Sequence, residues 1–120
     1  MLFRSVGEVW EDSREWLDGT QFDGVMNYLF AAPTIAFTAG DRVDMTQVQD
    51  RSYYPYPPLF AAEYAQKIQD LLALYPQEIQ LTQLNLLASH DTARLLTIAG
   101  GDKSSVELAT LLLQIGRAHV

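Results

Sequence analysis

The 120-residue sequence contains no cysteine, which excludes a disulfide scaffold, a thiolate zinc site and a thiol nucleophile. Positive charge is also scarce: 8 Lys and Arg stand against 15 Asp and Glu, for a net charge of −7. Proteins that grip a nucleic-acid backbone carry basic patches, so no nucleic acid is expected as a partner. No Lys/Arg cluster suggests an anionic membrane surface, and no apolar run approaches the roughly 18 residues of a membrane span. Histidine is limited to 2. No second ligand stands at a recognisable spacing, so no metal and no other cofactor is implied. What remains is a 48% hydrophobic chain, enough for one small core, whose low charge of one sign favours an uncharged partner.

Short apolar runs alternate with helical segments along the chain, the signature of βα units around a parallel sheet. Residues 6–10 read as the end of a strand. Residues 11–18 follow as a short helix, with Asp12 as N-cap, Glu15 as capping-box partner and Gly19 as stop. Residues 22–28 form a second strand, and a helix is expected from near Pro33 to Gly40. Residues 41–58 are irregular and end in a proline-rich stretch. Residues 59–75 form the clearest helix, with Tyr64, Ile68, Leu71, Leu72 and Tyr75 on one buried face. Residues 81–88 form a third strand and 92–99 a short helix. Ser104 to Glu107 supplies a capping box for a last helix through Leu113. Three strands with only their own helices leave two unpaired sheet edges, an incomplete architecture.

The chemistry concentrates where the apolar runs end. Ser89, His90 and Asp91 terminate the third run, and parallel sheets place substrate at such strand ends. Asp91 reads either as a substrate-facing carboxylate beside His90 or as the N-cap of the next helix. A Ser-His-Asp triad is excluded, because adjacent residues point to different sides and triads assemble from separated segments. Glu8 reads either as a strand carboxylate satisfied by a neighbouring base or as a general acid. In the second reading Trp10 supplies an apolar wall that disfavours the charged form. Trp10, Tyr28, Tyr53, Tyr54 and Tyr56 are candidate stacking surfaces for a sugar ring, although ordinary loop packing suits Tyr53 to Tyr56 better. Asn27 and Tyr28 sit at the end of the second strand, and Arg94 reads either as a carboxylate partner, the reading preferred, or as a surface residue.

Three of these segments resemble one family in order and spacing. Val6-Gly7-Glu8-Val9-Trp10 is similar to the fifth-strand motif of the α-amylase family, glycoside hydrolase family 13. Leu86-Leu87-Ala88-Ser89-His90-Asp91-Thr92-Ala93-Arg94 is similar to its seventh-strand motif. Phe22-Asp23-Gly24-Val25-Met26-Asn27-Tyr28 resembles the sixth strand of the neopullulanase, cyclomaltodextrinase and maltogenic amylase branch. The resemblance implies an α/β fold, a partial (β/α)8 TIM barrel covering about strands five to seven with their helices. It also implies a retaining α-glycoside hydrolase or transglycosidase acting on α-1,4-glucans such as maltodextrins, cyclodextrins, starch or pullulan. Glu8 would be the general acid/base and Asp91 the transition-state stabiliser, with His90, Trp10, Asn27, Tyr28 and Arg94 binding substrate. In the family the carboxylate nucleophile lies on the fourth strand, ahead of Val6. The expected partner is an α-glucan, and a homodimeric parent is compatible with the resemblance.

Leu2-Phe3-Arg4-Ser5 and Ile115-Gly116-Arg117-Ala118-His119-Val120 look like in-frame translations of a sequencing adaptor and its complement. Residues 1–5 and 115–120 are therefore expected to be non-native, and residues 6–114 to be a fragment of a catalytic domain. On that expectation the isolated chain is inactive, and its compartment stays open with the cytoplasm favoured. The alternative from another class is a non-catalytic amylase-like module that binds carbohydrate or a partner.

Overall fold

The three apolar runs become three adjacent parallel strands in the computed structural model, which describes residues 4–49 and 57–115. They are β1 (Val6–Gly7), β2 (Gly24–Asn27) and β3 (Leu84–Asn85), in the order β1-β2-β3. Val6 pairs with Gly24 and Gly7 with Val25, while Met26 pairs with Leu84 and Asn27 with Asn85. The strands are shorter than the apolar runs that signal them, because Leu86 and Leu87 leave the ladder and stay buried as packing residues. Gly24 is required where β2 passes the connection into β3. A Cβ there would collide with the Thr82 carbonyl, so the two segments approach this closely only through glycine.

The helix after β2, α1 (Tyr28–Thr38), begins five residues before Pro33 rather than at it. Proline inside a helix removes one amide donor. That cost is outweighed because α1 is apolar nearly all round and buries Tyr28, Ala31, Ala32, Thr34, Ile35 and Ala36, as a core helix does. The segment after it is not wholly irregular. Single 3-10 turns occupy Gly40–Arg42 and Met45–Gln47, Asp44 N–H donates to the Ile98 carbonyl at 2.8 Å, and Val48 is buried. Tyr53, Tyr54 and Tyr56 lie outside the described residues.

The long helix α2 (Ala61–Leu74) forms where its periodicity predicts, although Leu72 of the expected stripe is half-exposed. Glu63 Oε2 accepts the Phe60 N–H at 2.8 Å at its start. Past its end come Pro76 and α3 (Gln77–Gln80), and the Gln80 amide donates to the Tyr75 carbonyl at 2.8 Å. No regular helix forms over 11–18, only a 3-10 turn at Arg14–Trp16. Asp12 Oδ1 accepts the Arg14 N–H at 3.1 Å, two residues on, and Arg14 closes back on it at 2.6 Å. That Asx turn competes with a helix start instead of capping one.

At the other end, the short helix is α4 (Leu95–Ile98), entered from an extended Arg94. The last helix, α5 (Lys103–Ile115), starts before the predicted capping box, so Ser104 is already helical. Its cap is Asp102, whose Oδ2 accepts the Ser105 N–H at 3.0 Å and the Ser105 hydroxyl at 2.5 Å. Two apolar clusters flank the sheet. One gathers Tyr28, Ile35, Val48, Leu86 and Ile98, with Met26 and Trp10 against it. The other gathers Leu17, Val25 and Tyr75 with Leu71 and Leu74 of α2.

Candidate active site

Because the strands run parallel, the residues that follow each of them emerge at one edge of the sheet. Glu8 follows Gly7, Tyr28 follows Asn27, and the turn 89–92 follows β3 after two buried leucines. The edge is tied together by side chains. The Trp10 ring stacks on Tyr28, with centroids 3.7 Å apart and planes 10° from parallel. Tyr28 is 1% exposed, and its hydroxyl lies 2.9 Å from Ser89 Oγ.

The 89–92 turn closes on itself before any helix starts. Ser89 N–H donates to Thr92 Oγ1 at 2.9 Å, and Thr92 Oγ1 donates back to the Ser89 carbonyl at 3.1 Å. The Thr92 N–H reaches the same carbonyl at 3.2 Å. Inside this loop the Asp91 N–H donates to Ser89 Oγ at 3.2 Å. Asp91 is therefore positioned by its backbone and does not cap a helix, since α4 begins only at Leu95. His90 Nε2 lies 3.3 Å from Asp91 Oδ2, with 82% of the histidine side chain and 41% of the aspartate side chain exposed. At that exposure the pair contributes little to stability. Both groups face outward, where a ligand could reach them.

Glu8 is exposed immediately past β1. Trp10, the expected wall beside it, has one ring face against Tyr28. Asp12 is occupied elsewhere: its hydrogen bond from Arg14 holds its carboxyl below the usual carboxylate range. Arg94 is exposed at the entry to α4 and forms no ion pair with a carboxylate among the described residues, contrary to the expected partnership.

Asn27 is not with the others. Alternation along β2 puts it on the side of Val25, which packs against α2, and opposite to Met26 and Tyr28. Its amide donates to Asn85 Oδ1 at 2.7 Å, and it borders a cleft of about 300 Å³ shared with Ile68, Leu71 and Tyr75. The residue that sequence reading undervalued is Ser89, noticed only in a rejected triad. Its signal was the Ser89-x-x-Thr92 spacing, which favours a hydroxyl-closed turn.

No protein-family model matches the chain. The structure of the Nostoc punctiforme debranching enzyme superposes on 92% of this chain and 23% of its own, with a TM-score of 0.88 and 81% identity. The cyclic α-maltosyl-(1→6)-maltose hydrolase of Arthrobacter globiformis superposes on 90% of this chain and 20% of its own, with a TM-score of 0.68 and 34% identity. In sequence, the cyclomaltodextrinase of Geobacillus thermopakistaniensis is 40% identical over 106 residues, 88% of this chain. This chain belongs to the α-amylase family. It spans about 15% of the length of the curated family relatives that it matches first. The three-stranded parallel sheet and its helices superpose on a small part of those solved structures.

Proposed function

We propose that this chain is the part of a retaining α-glucan hydrolase or transglycosidase that carries the general acid/base and a transition-state-stabilising carboxylate, on strands five to seven of a (β/α)8 barrel. The observation that carries this reading is the shared sheet edge, to which β1 contributes Glu8 and β3 contributes the turn bearing Asp91. Glu8 protonates the leaving glycosidic oxygen and, after the covalent intermediate forms on a nucleophile supplied outside this segment, activates the incoming water. Asp91 supports the positive charge of the oxocarbenium-like state. His90 donates to sugar hydroxyls beside it. Trp10 is the aromatic candidate for a sugar ring at this strand end, and Tyr28, being buried, supports it through their ring stack.

The names of the relatives bear on the substrate. Relatives named cyclomaltodextrinase and amylopullulanase favour an α-glucan, and 81% identity to a debranching enzyme favours cleavage at α-1,6 branch points as well as α-1,4 bonds. The test protein is the Nostoc punctiforme debranching enzyme with the counterpart of this segment replaced by residues 6–114. It is assayed on a branched and on a linear maltodextrin. Glu8→Gln in that chimera is expected to lower kcat by about 10²- to 10⁴-fold while substrate still binds. Near-normal turnover would overturn the acid/base assignment, whereas no turnover in the unsubstituted chimera would favour the non-catalytic binding module.

A further inference from the structure

The geometry points to Tyr28 as a positioning residue that sets the separation of the two candidate carboxylates. This rests on the roles given above to Glu8 and Asp91. Among the contacts of Tyr28, one leads to each of the flanking strand ends. Its ring face lies on Trp10, two residues after Glu8, and its hydroxyl lies 2.9 Å from Ser89 Oγ, two residues before Asp91. The same Ser89 oxygen accepts the Asp91 N–H at 3.2 Å. Tyr28 is thus a shared neighbour of both strand ends, seated between the strand that delivers the acid/base and the turn that delivers the stabiliser.

The seat itself is buried and closely packed. Tyr28 is the first residue of α1, is 1% exposed, and packs in the cluster with Ala32, Ile35 and Leu86. A phenylalanine would fill that volume equally well. A buried tyrosine needs a partner for its hydroxyl, and a backbone carbonyl would meet the need without touching the site. Here the hydroxyl instead meets the one side chain whose oxygen also holds the Asp91 amide. The tether spans 61 residues of sequence, so it restrains the turn relative to β2 in a way that the turn's own local bonds cannot. Misplacing a reacting group by about 1 Å costs on the order of 100-fold in rate.

The test uses the chimera described above. Tyr28→Phe keeps the stack and deletes the tether, and it is expected to lower kcat by about 10- to 100-fold with KM within about twofold. Ser89→Ala removes the tether together with the Asp91 N–H bond, and an unchanged kcat in it overturns the inference even if Tyr28→Phe does not fold. The double variant is expected to be no slower than Ser89→Ala alone, since the tether that Tyr28→Phe breaks is already lost there. Tyr64→Phe is the structural control: it deletes a comparable hydroxyl contact, to Thr34 Oγ1 at 3.0 Å, away from the site, and should leave kcat unchanged. The inference is overturned if Tyr28→Phe and Ser89→Ala both keep kcat within twofold of the parent, or if Tyr64→Phe lowers it equally. Retained turnover in Glu8→Gln would instead fail the acid/base assignment, a separate result read in the same assay.

Discussion

The link between the loop after Glu8 and the end of α2 gives a prediction whose size follows from burial. Tyr75 is 5% exposed within the Leu17–Val25 cluster, and its hydroxyl accepts the backbone N–H of Ser13 at 3.0 Å. Ser13 is 0% exposed. Tyr75→Phe keeps the ring and its apolar contacts and removes only the acceptor. Were Ser13 at the surface, water would replace the lost bond and the net cost would be about 0.5–1.5 kcal/mol. Because it is buried, the N–H is left unsatisfied and the cost rises to about 1–3 kcal/mol. The opening free energy of the 11–17 loop falls by that amount, so its amides should exchange about 5- to 150-fold faster, at 1.4 kcal/mol per tenfold. Hydrogen-exchange mass spectrometry on the chimera reads this directly, with peptides from α5 as the internal reference. Unchanged exchange across residues 11–17 would refute the reasoning, since it would mean that Tyr75 does not hold this loop.

Two further outcomes are expected. Asp102→Ala removes the cap of α5 and should lower the melting temperature of the chimera at neutral pH. The Ser105 hydrogen bonds hold the Asp102 carboxyl below its ordinary value of 3.8, so the contribution is present above that value and is lost as pH falls through the lowered one. The difference between parent and variant should therefore vanish in strong acid, and a difference that persists there would assign the effect to something other than the charged cap. The 120-residue chain alone should not hydrolyse maltodextrin or cyclodextrin above a Glu8→Gln control, because the proposed nucleophile lies outside the segment. Measurable excess turnover would show that assignment wrong.

What could be read from the residues was the identity of the strand ends, because chemistry-bearing side chains there interrupt apolar runs: Glu8 after Gly7, and His90-Asp91 after Leu87. Strand length was not legible. Buried parallel strands and buried extended chain share one apolar pattern, so Leu86 and Leu87 look like ladder residues and are not. The start of α1 was misplaced because Pro33 is a local signal, and the burial that outweighs it comes from elements distant in sequence. Its place at a strand end suggests the substrate side for Asn27. Its face depends on alternation counted against Val25, which only packing against α2 reveals. Asp102 lost its role to Ser104 because the two serines and Glu107 make an equally good local motif, and only the register of α5 separates them.

The three-way seat of Tyr28 bears on how such proteins can be recombined. Each βα unit of a barrel looks like an exchangeable module, yet here the ring contact reaches back to the unit before and the hydroxyl reaches forward to the unit after. A crossover between β2 and β3 separates Tyr28 from Ser89, and a crossover before β2 separates it from Trp10. Shuffling single units among relatives therefore preserves this corner only when both parents supply matching partners. The smallest block that carries it intact runs from Trp10 to Thr92.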